Sequence, residues 1–227
     1  MEGQGEVSKE EVERIAKEEA EVLSHQDAQK TTKKSEWDAI AEKSYQMFLN
    51  YDKNPNWKLF GEQPCKMYSM DAGDRVASRG IAEIPASLED IVKFLENPEN
   101  VKIVDVMNEE GKMLLKEDKY EIDYFKYKAP WPVSSRDFVL LASTRREGNK
   151  VYLLTKSIDY DYPIPNKVVR AEVYVGSYCV EELSPNNCKV TYISDADPKG
   201  WIPGPVKNHA SKNQAQVPGL LLKVFKK

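Results

Sequence analysis

The sequence predicts an α+β fold in which a strongly curved antiparallel sheet is covered by a C-terminal helix. Three observations carry this. From about Lys119 onward strand patterns follow one another, among them "YEIDYFKYK", "DFVLLAST" and "VYLLTKSI". Turn residues such as Glu147-Gly148-Asn149 and Ser184-Pro185-Asn186-Asn187 separate them, and reversals that short join antiparallel neighbours. The helical patterns do not alternate with this run of strands, as they would in a parallel α/β chain.

In chain order, residues 1–34 form a charged extension. Val12, Ile15, Ala16, Val22 and Leu23 fall at helical spacing in "SKEEVERIAKEEAEVLSH", but the stripe is thin, so helix and disorder both remain open. Residues 35–227 read as one domain. "SEWDAIAEKSYQMFL" starts a helix with Ser35 as N-cap and places Trp37, Ile40, Ala41, Ser44 and Phe48 along one face. "NPNW" ends it, and "CKMYSMD" and "RVASRGIAEI" around Ala72, Gly73 and Asp74 make a hairpin. In "SLEDIVKFLEN" Ser87 caps a helix whose one face carries Leu88, Ile91, Val92 and Leu95. The meander continues through "VVRAEVYVGSYCVEEL" and "CKVTYISDAD". Beyond "GWIPGP" a last helix carries Val206, Ala210, Asn213, Val217, Leu220, Leu221 and Val224 near one face, and Pro218 must kink or restart it.

"APWPVSSRDFVLL", from Ala129 to Leu141, leads into its strand through two prolines that fix their own φ and hold Ala129 and Trp131 extended. From Asp137 side chains alternate, so Phe138, Leu140 and Ala142 share one face while Val139 and Leu141 share the other. Both faces are apolar. A curved sheet must bury its concave side, and a helix laid across it leaves an elongated cavity unless side chains fill the space.

A chain of 227 residues can bury a substantial core, and a formal net charge of −4 argues against a nucleic-acid partner. The longest apolar stretches are strand-sized, and the first 30 residues carry Glu and Lys where a signal peptide needs an apolar run, so the chain reads as cytoplasmic. Cys65, Cys179 and Cys188 cannot all pair and read as reduced, buried thiols. Catalysis finds little support. The two histidines, His25 and His209, stand in the extension and the last helix, and neither Ser134 nor Ser135 sits in a glycine-flanked nucleophile turn. No metal-ligand spacing and no phosphate-cradling glycine loop is present, so neither enzyme chemistry nor a cofactor or metal is expected.

"PWPVSSRDFVLL", then "VVRAEVYVGSYCVEEL", then "CKVTYISDADPKGWIPGPVKN" resemble, in that order, the StAR-related lipid-transfer (START) domain family, from about Trp57 to the C-terminus. The resemblance implies a helix-grip fold whose curved sheet and terminal helix enclose one lipid, carried between membranes by a monomer. The terminal segment adds its own physics. After Asp197 it has no acidic residue but contains Lys199, Lys207, Lys212, Lys223, Lys226 and Lys227, with Trp201 and Phe225 among them. Near an anionic leaflet each lysine is worth about 1 kcal/mol at best, enough for reversible peripheral association and too little for anchoring. Trp201, Lys207, Lys223, Phe225, Lys226 and Lys227 are the expected docking residues.

The cargo is read from the strands. Phe125, Phe138 and Tyr174 resemble the aromatic cage around choline in family members specific for phosphatidylcholine, where cation–π attraction is worth about 2 kcal/mol when desolvated. Those members also carry an Arg and an Asp earlier in the chain, and Lys102 and Asp105 are the nearest counterparts. Asp123 falls where sterol-carrying members place an inward-facing acid, but their partner arginine falls near Ala142, so this carboxylate needs another donor, a proton or water. Arg170 and Glu172 share the parity of Tyr174 and would line a polar headgroup region. A choline phospholipid is the favoured cargo and a sterol or ceramide the alternative. A lipid-sensing regulatory module remains the reading outside transport.

Overall fold

The computed structural model describes residues 33–226. Described residues 40–226 belong to one compact unit. The helical pattern between Ser8 and His25, the Lys207 side chain and Lys227 lie outside what is described. A first helix, α1, covers described residues 33–52. It is followed by β1 (Lys58–Gly61), β2 (Lys66–Asp71), β3 (Val76–Ile84), α2 (Leu88–Leu95), a 3-10 turn (Pro98–Asn100) and α3 (Val101–Val104). Then come β4 (Asn108–Glu117), β5 (Tyr120–Tyr127), β6 (Ser135–Glu147), β7 (Lys150–Ser157), β8 (Val168–Arg170), β9 (Glu172–Ser184), β10 (Asn187–Asp197) and α4 (Gly204–Phe225).

The strands form one open sheet in the order β1-β2-β3-β10-β9-β7-β6-β5-β4, with the short β8 beside β6. All ladders are antiparallel except β8 with β6. Register shifts interrupt β1 against β2, β10 against β9 and β4 against β5. Each such bulge bends its strand and adds twist, which supplies the curvature the sequence called for.

Local chemistry set several elements as expected. The β2–β3 hairpin pairs Asp71 with Val76, and Gly73 at its tip adopts φ +83°, where a side chain would be strained. Ser87 caps α2 by accepting from the Asp90 backbone N–H at 3.2 Å. On α1, Tyr45 and Phe48 pack with Tyr152, Leu154, Val175 and Ile193 on the convex side of the sheet. Phe48 is fully buried, worth about 1.5–3 kcal/mol over leaving it in water.

The helix α4 runs across β3, β10 and β2 on the concave side. It is a single 22-residue helix with Pro218 inside it, where the sequence left a kink or a restart open. The helix can come close because β3 carries Gly80: a Cβ there would lie 2.2 Å from the Ala215 carbonyl oxygen and 2.7 Å from Pro218 Cδ. Ala215, Val217 and Leu221 enter the main core with Ile84, Ile91, Val92, Val180 and Val190. Cys65 and Cys188 are buried in that core and Cys179 is half-buried, all three as free thiols.

Three strands were not foreseen, the four-residue β1 among them. β4 breaks its alternation twice, at Asn108/Glu110 and Met113/Leu115, so no period-2 pattern survives in its sequence. "VVRAEVYVGSYCVEEL" is two strands and not one, because Ala171 turns its N–H to the Asp137 carbonyl at 2.9 Å and leaves β8 to pair in parallel with β6.

Candidate functional site

Between the concave face and α4 lies an internal cavity of about 480 Å³. Alternation along β5 and β6 builds one wall in rows of directly opposed residues: Glu121 with Ala142, Asp123 with Leu140, Phe125 with Phe138, Tyr127 with Arg136. Neighbouring rows are about 7 Å apart, two residues of strand. The Tyr127 ring meets the Phe138 ring edge-on at 5.5 Å. Val173, Tyr178 and Tyr192 continue the wall on β9 and β10, and Val206, Ala210 and Gln214 of α4 close it. The last turns of α4 are packed into the core, so the helix faces the space from Val206 to Val217.

Two buried carboxyls mark this wall. Asp123 is 5% exposed, and its Oδ1 has no hydrogen-bond partner among the described residues. Burial, reinforced by Glu121 and opposed by Lys116, pushes its pKa up to about 7. Asp105, at the C-terminal end of α3, accepts from the Met107 backbone N–H at 3.0 Å and from Gln214 Nε2 at 2.6 Å. Gln214 Oε1 in turn accepts from the Tyr192 hydroxyl at 2.9 Å. Burial raises the pKa of Asp105, and the two donors hold it back.

Of the residues singled out in the sequence, Asp105, Asp123, Phe125 and Phe138 line the cavity, and Lys102, Arg170 and Tyr174 do not. Lys102 is exposed on α3. Arg170 is bound to Asp137 by Nε at 2.8 Å and a terminal nitrogen at 3.1 Å, a pair behind the sheet. Tyr174 lies under the Arg75 guanidinium at 4.4 Å, with Lys156 at 5.5 Å. The cause is the bulge in β9: Asp195 pairs with Val175 and Ala196 with Val173, so Tyr174 is the extra residue and loses the cavity parity. The cage expected from Phe125, Phe138 and Tyr174 is not assembled, and Tyr127 stands beside the two phenylalanines in its place.

The expected docking residues separate as well. Trp201 is 70% exposed in the connection leading to α4, beside the cavity-lining Ile202. Lys223 and Lys226 are exposed at the far end of α4, about 30 Å along the helix from that connection. Phe225 is half-buried and meets Phe94 of α2 edge-on at 5.7 Å, so it belongs to packing and not to a free surface. Sequence reasoning missed Trp131, which is 93% exposed between β5 and β6, next to the cavity-lining Pro130. Val106, 60% exposed, lies between the cavity-lining Asp105 and Met107. An apolar residue flanked by turn residues was the available signal for Trp131.

Comparison with known proteins agrees with this geometry. START domain-containing protein 10 of Mus musculus is 29% identical over 107 residues, which cover 47% of this chain and 36% of that protein. Ceramide transfer protein of Cricetulus griseus is 31% identical over 120 residues, 43% of this chain and 19% of that protein. Each match thus spans well under half of the relative's length. Among solved structures, human StAR-related lipid transfer protein 5 superposes with a TM-score of 0.76 at 16% identity, covering 85% of this chain and 97% of that one. Human STARD10 gives 0.68 at 22% identity, with 80% and 76% covered. Both share the fold. The START domain family itself matches residues 38–216, and the chain therefore belongs to that family of lipid-transfer domains.

Proposed function

We propose that this protein carries one lipid in its internal cavity and moves it between membranes, with a choline phospholipid as cargo. The observation that carries the reading is the largely apolar space between sheet and helix, walled by β5, β6, β9 and β10 and covered by α4 from Val206 to Val217. Phe125, Phe138 and Tyr127 receive the quaternary ammonium on their ring faces, an attraction of about 2 kcal/mol or more in a desolvated site. The acyl chains lie along Leu140, Leu153, Val173 and Val217. One chain walls the cavity, which supports action as a monomer.

Docking uses the end of the molecule where the covering helix begins. Trp131 and Trp201 enter the interface, Val106 adds apolar surface, and Lys223 and Lys226 add a weak, salt-sensitive attraction as α4 comes to lie along the bilayer. No helix among the described residues is long and apolar enough to cross a membrane. Surface association that can be reversed suits a carrier that must leave with its cargo.

A second cargo class, ceramide or sterol, has one observation in its favour: the unpartnered, buried oxygen of Asp123 suits a lipid hydroxyl. Native mass spectrometry of protein purified from cells separates the readings. A copurified mass of a phosphatidylcholine is the expected result. A sterol or ceramide mass transfers the proposal to the second class, and protein that stays empty after incubation with vesicles of all three lipids overturns the carrier reading.

A further inference from the structure

One charged side chain in the cavity wall is not explained by the headgroup site. Arg136 is 6% exposed and lines the cavity beside Tyr127. Among the described residues it has no carboxylate partner. Its Nε donates to the Pro198 carbonyl at 3.0 Å, one terminal nitrogen donates to the Lys199 carbonyl at 2.9 Å and to the Trp201 carbonyl at 3.4 Å, and the other donates to the Ser134 carbonyl. Arg75, on the other face of the sheet, is by contrast paired with Asp195 at 2.9 Å. Asp197 does not balance Arg136 either, since it is held by Lys199 Nζ at 2.8 Å.

A buried cation without a counter-charge is costly, and a guanidinium cannot shed its proton to escape the cost. Carbonyl dipoles offset it in part. Three of the four carbonyls belong to residues 198–201, the connection that delivers α4 to the sheet. That connection turns through two successive left-handed residues, Lys199 at φ +49° and Gly200 at φ +65°. A lysine in that region is strained and has to be held there. Asp197 accepts from the Lys199 backbone N–H at 2.8 Å, and the Arg136 guanidinium holds the carbonyls on either side of the turn; it is also the arginine whose charge is unmet at the cavity wall.

We propose that Arg136 is a phosphate-responsive latch for the covering helix. In the closed protein its N–H groups tie the 198–201 connection to β6. When a lipid phosphate reaches the mouth, the planar fork takes that anion in the bidentate manner arginine favours, gives up hinge carbonyls and frees the start of α4. Its row adjoins the Phe125–Phe138 row, about 7 Å along the strands, so the phosphate and ammonium of one choline headgroup can address both. This inference rests on the carrier reading and deepens it, because it ties opening to phosphate-bearing lipids.

The test combines hydrogen exchange at amides of residues 199–206 with lipid extraction by the full chain. Phosphatidylcholine vesicles are expected to speed exchange in the wild type, while millimolar inorganic phosphate leaves it unchanged. Arg136→Gln is expected to exchange fast without vesicles, to lose about tenfold or more in phosphatidylcholine extraction, and to keep its extraction of ceramide from phosphate-free glucoside micelles. Arg136→Lys, with its charge but not its fork, should exchange fast and retain part of the extraction. The latch is overturned if Arg136→Gln extracts phosphatidylcholine like the wild type, if it loses both lipids equally, or if vesicles leave wild-type exchange unmoved. Inorganic phosphate matching the vesicles overturns the lipid as the trigger. Wild-type protein that extracts neither lipid overturns the carrier reading instead. Should Arg136→Gln not fold, the wild-type exchange and Arg136→Lys decide alone.

Discussion

The side-chain amide of Gln214 and the carboxylate of Asp105 meet at 2.6 Å, tying the covering helix α4 to the end of α3 at the cavity wall. Removing the donor leaves a buried carboxylate with one bond fewer, which costs about 1–3 kcal/mol. Gln214→Ala is expected to lower the urea midpoint accordingly. Asp105→Asn discards a charge that burial disfavours but leaves one oxygen for two donors, so its amide nitrogen faces a donor and it should cost at least as much. A clearly smaller loss from Asp105→Asn would show that relief of the buried charge outweighs the misplaced donor.

Asp123 makes stability depend on pH in a stated direction. Its folded pKa is raised to about 7, against about 3.9 for an unfolded chain, so between those values the folded state holds more protons. Its contribution is fully present below about pH 4 and is lost as pH rises through about 7. Asp123→Asn should therefore raise the unfolding midpoint at pH 8 while changing it little at pH 4, as read by urea titrations of empty protein. A variant that gains equally at both pH values would show that the carboxyl does not titrate in this way.

Phe125 and Phe138 face each other inside the cavity, whereas Tyr174 sits behind the sheet under Arg75. Phe125→Ala and Phe138→Ala should each weaken binding of a fluorescent phosphatidylcholine by about tenfold or more. Tyr174→Ala should leave the affinity within about twofold. A large loss for Tyr174→Ala with unchanged thermal stability would place the headgroup elsewhere.

Trp131 and Trp201 contribute little to folding, being 93% and 70% exposed. Trp131→Ala and Trp201→Ala should alter unfolding free energy by no more than about 0.5 kcal/mol. The double variant should lose most sedimentation with vesicles. Lys223→Gln with Lys226→Gln should reduce sedimentation only with anionic vesicles, and less at high salt. Full vesicle binding by the double tryptophan variant would exclude this end of the molecule as the docking face.

The legibility of the site followed the range of the forces involved. The alternation of β5 and β6 is a property of neighbours in the chain, so the shared face of Phe138, Leu140 and Ala142 could be read directly, and it lines the cavity. The same reasoning failed at Tyr174, because one bulge in β9 changes parity and leaves no mark that alternation can detect. β4 escaped for the same reason, with two interruptions in a single strand. Phe225, an apolar residue among lysines, looked like a docking residue until Phe94 was found against it, 131 positions earlier in the chain.

By itself, then, the sequence determined the α+β class, the capped helix at Ser87, the hairpin at Gly73 and the greasy inner strand of β6, since caps, turns and periodicity act over a few residues. Tertiary structure alone decided that Tyr174 faces away from the cavity, that Asp123 keeps an unpartnered oxygen within it, and that Arg136 holds the connection to α4 from 62 residues away. Those outcomes depend on which distant segments meet, and the burial that shifts a charge or orphans an oxygen exists only once they have met.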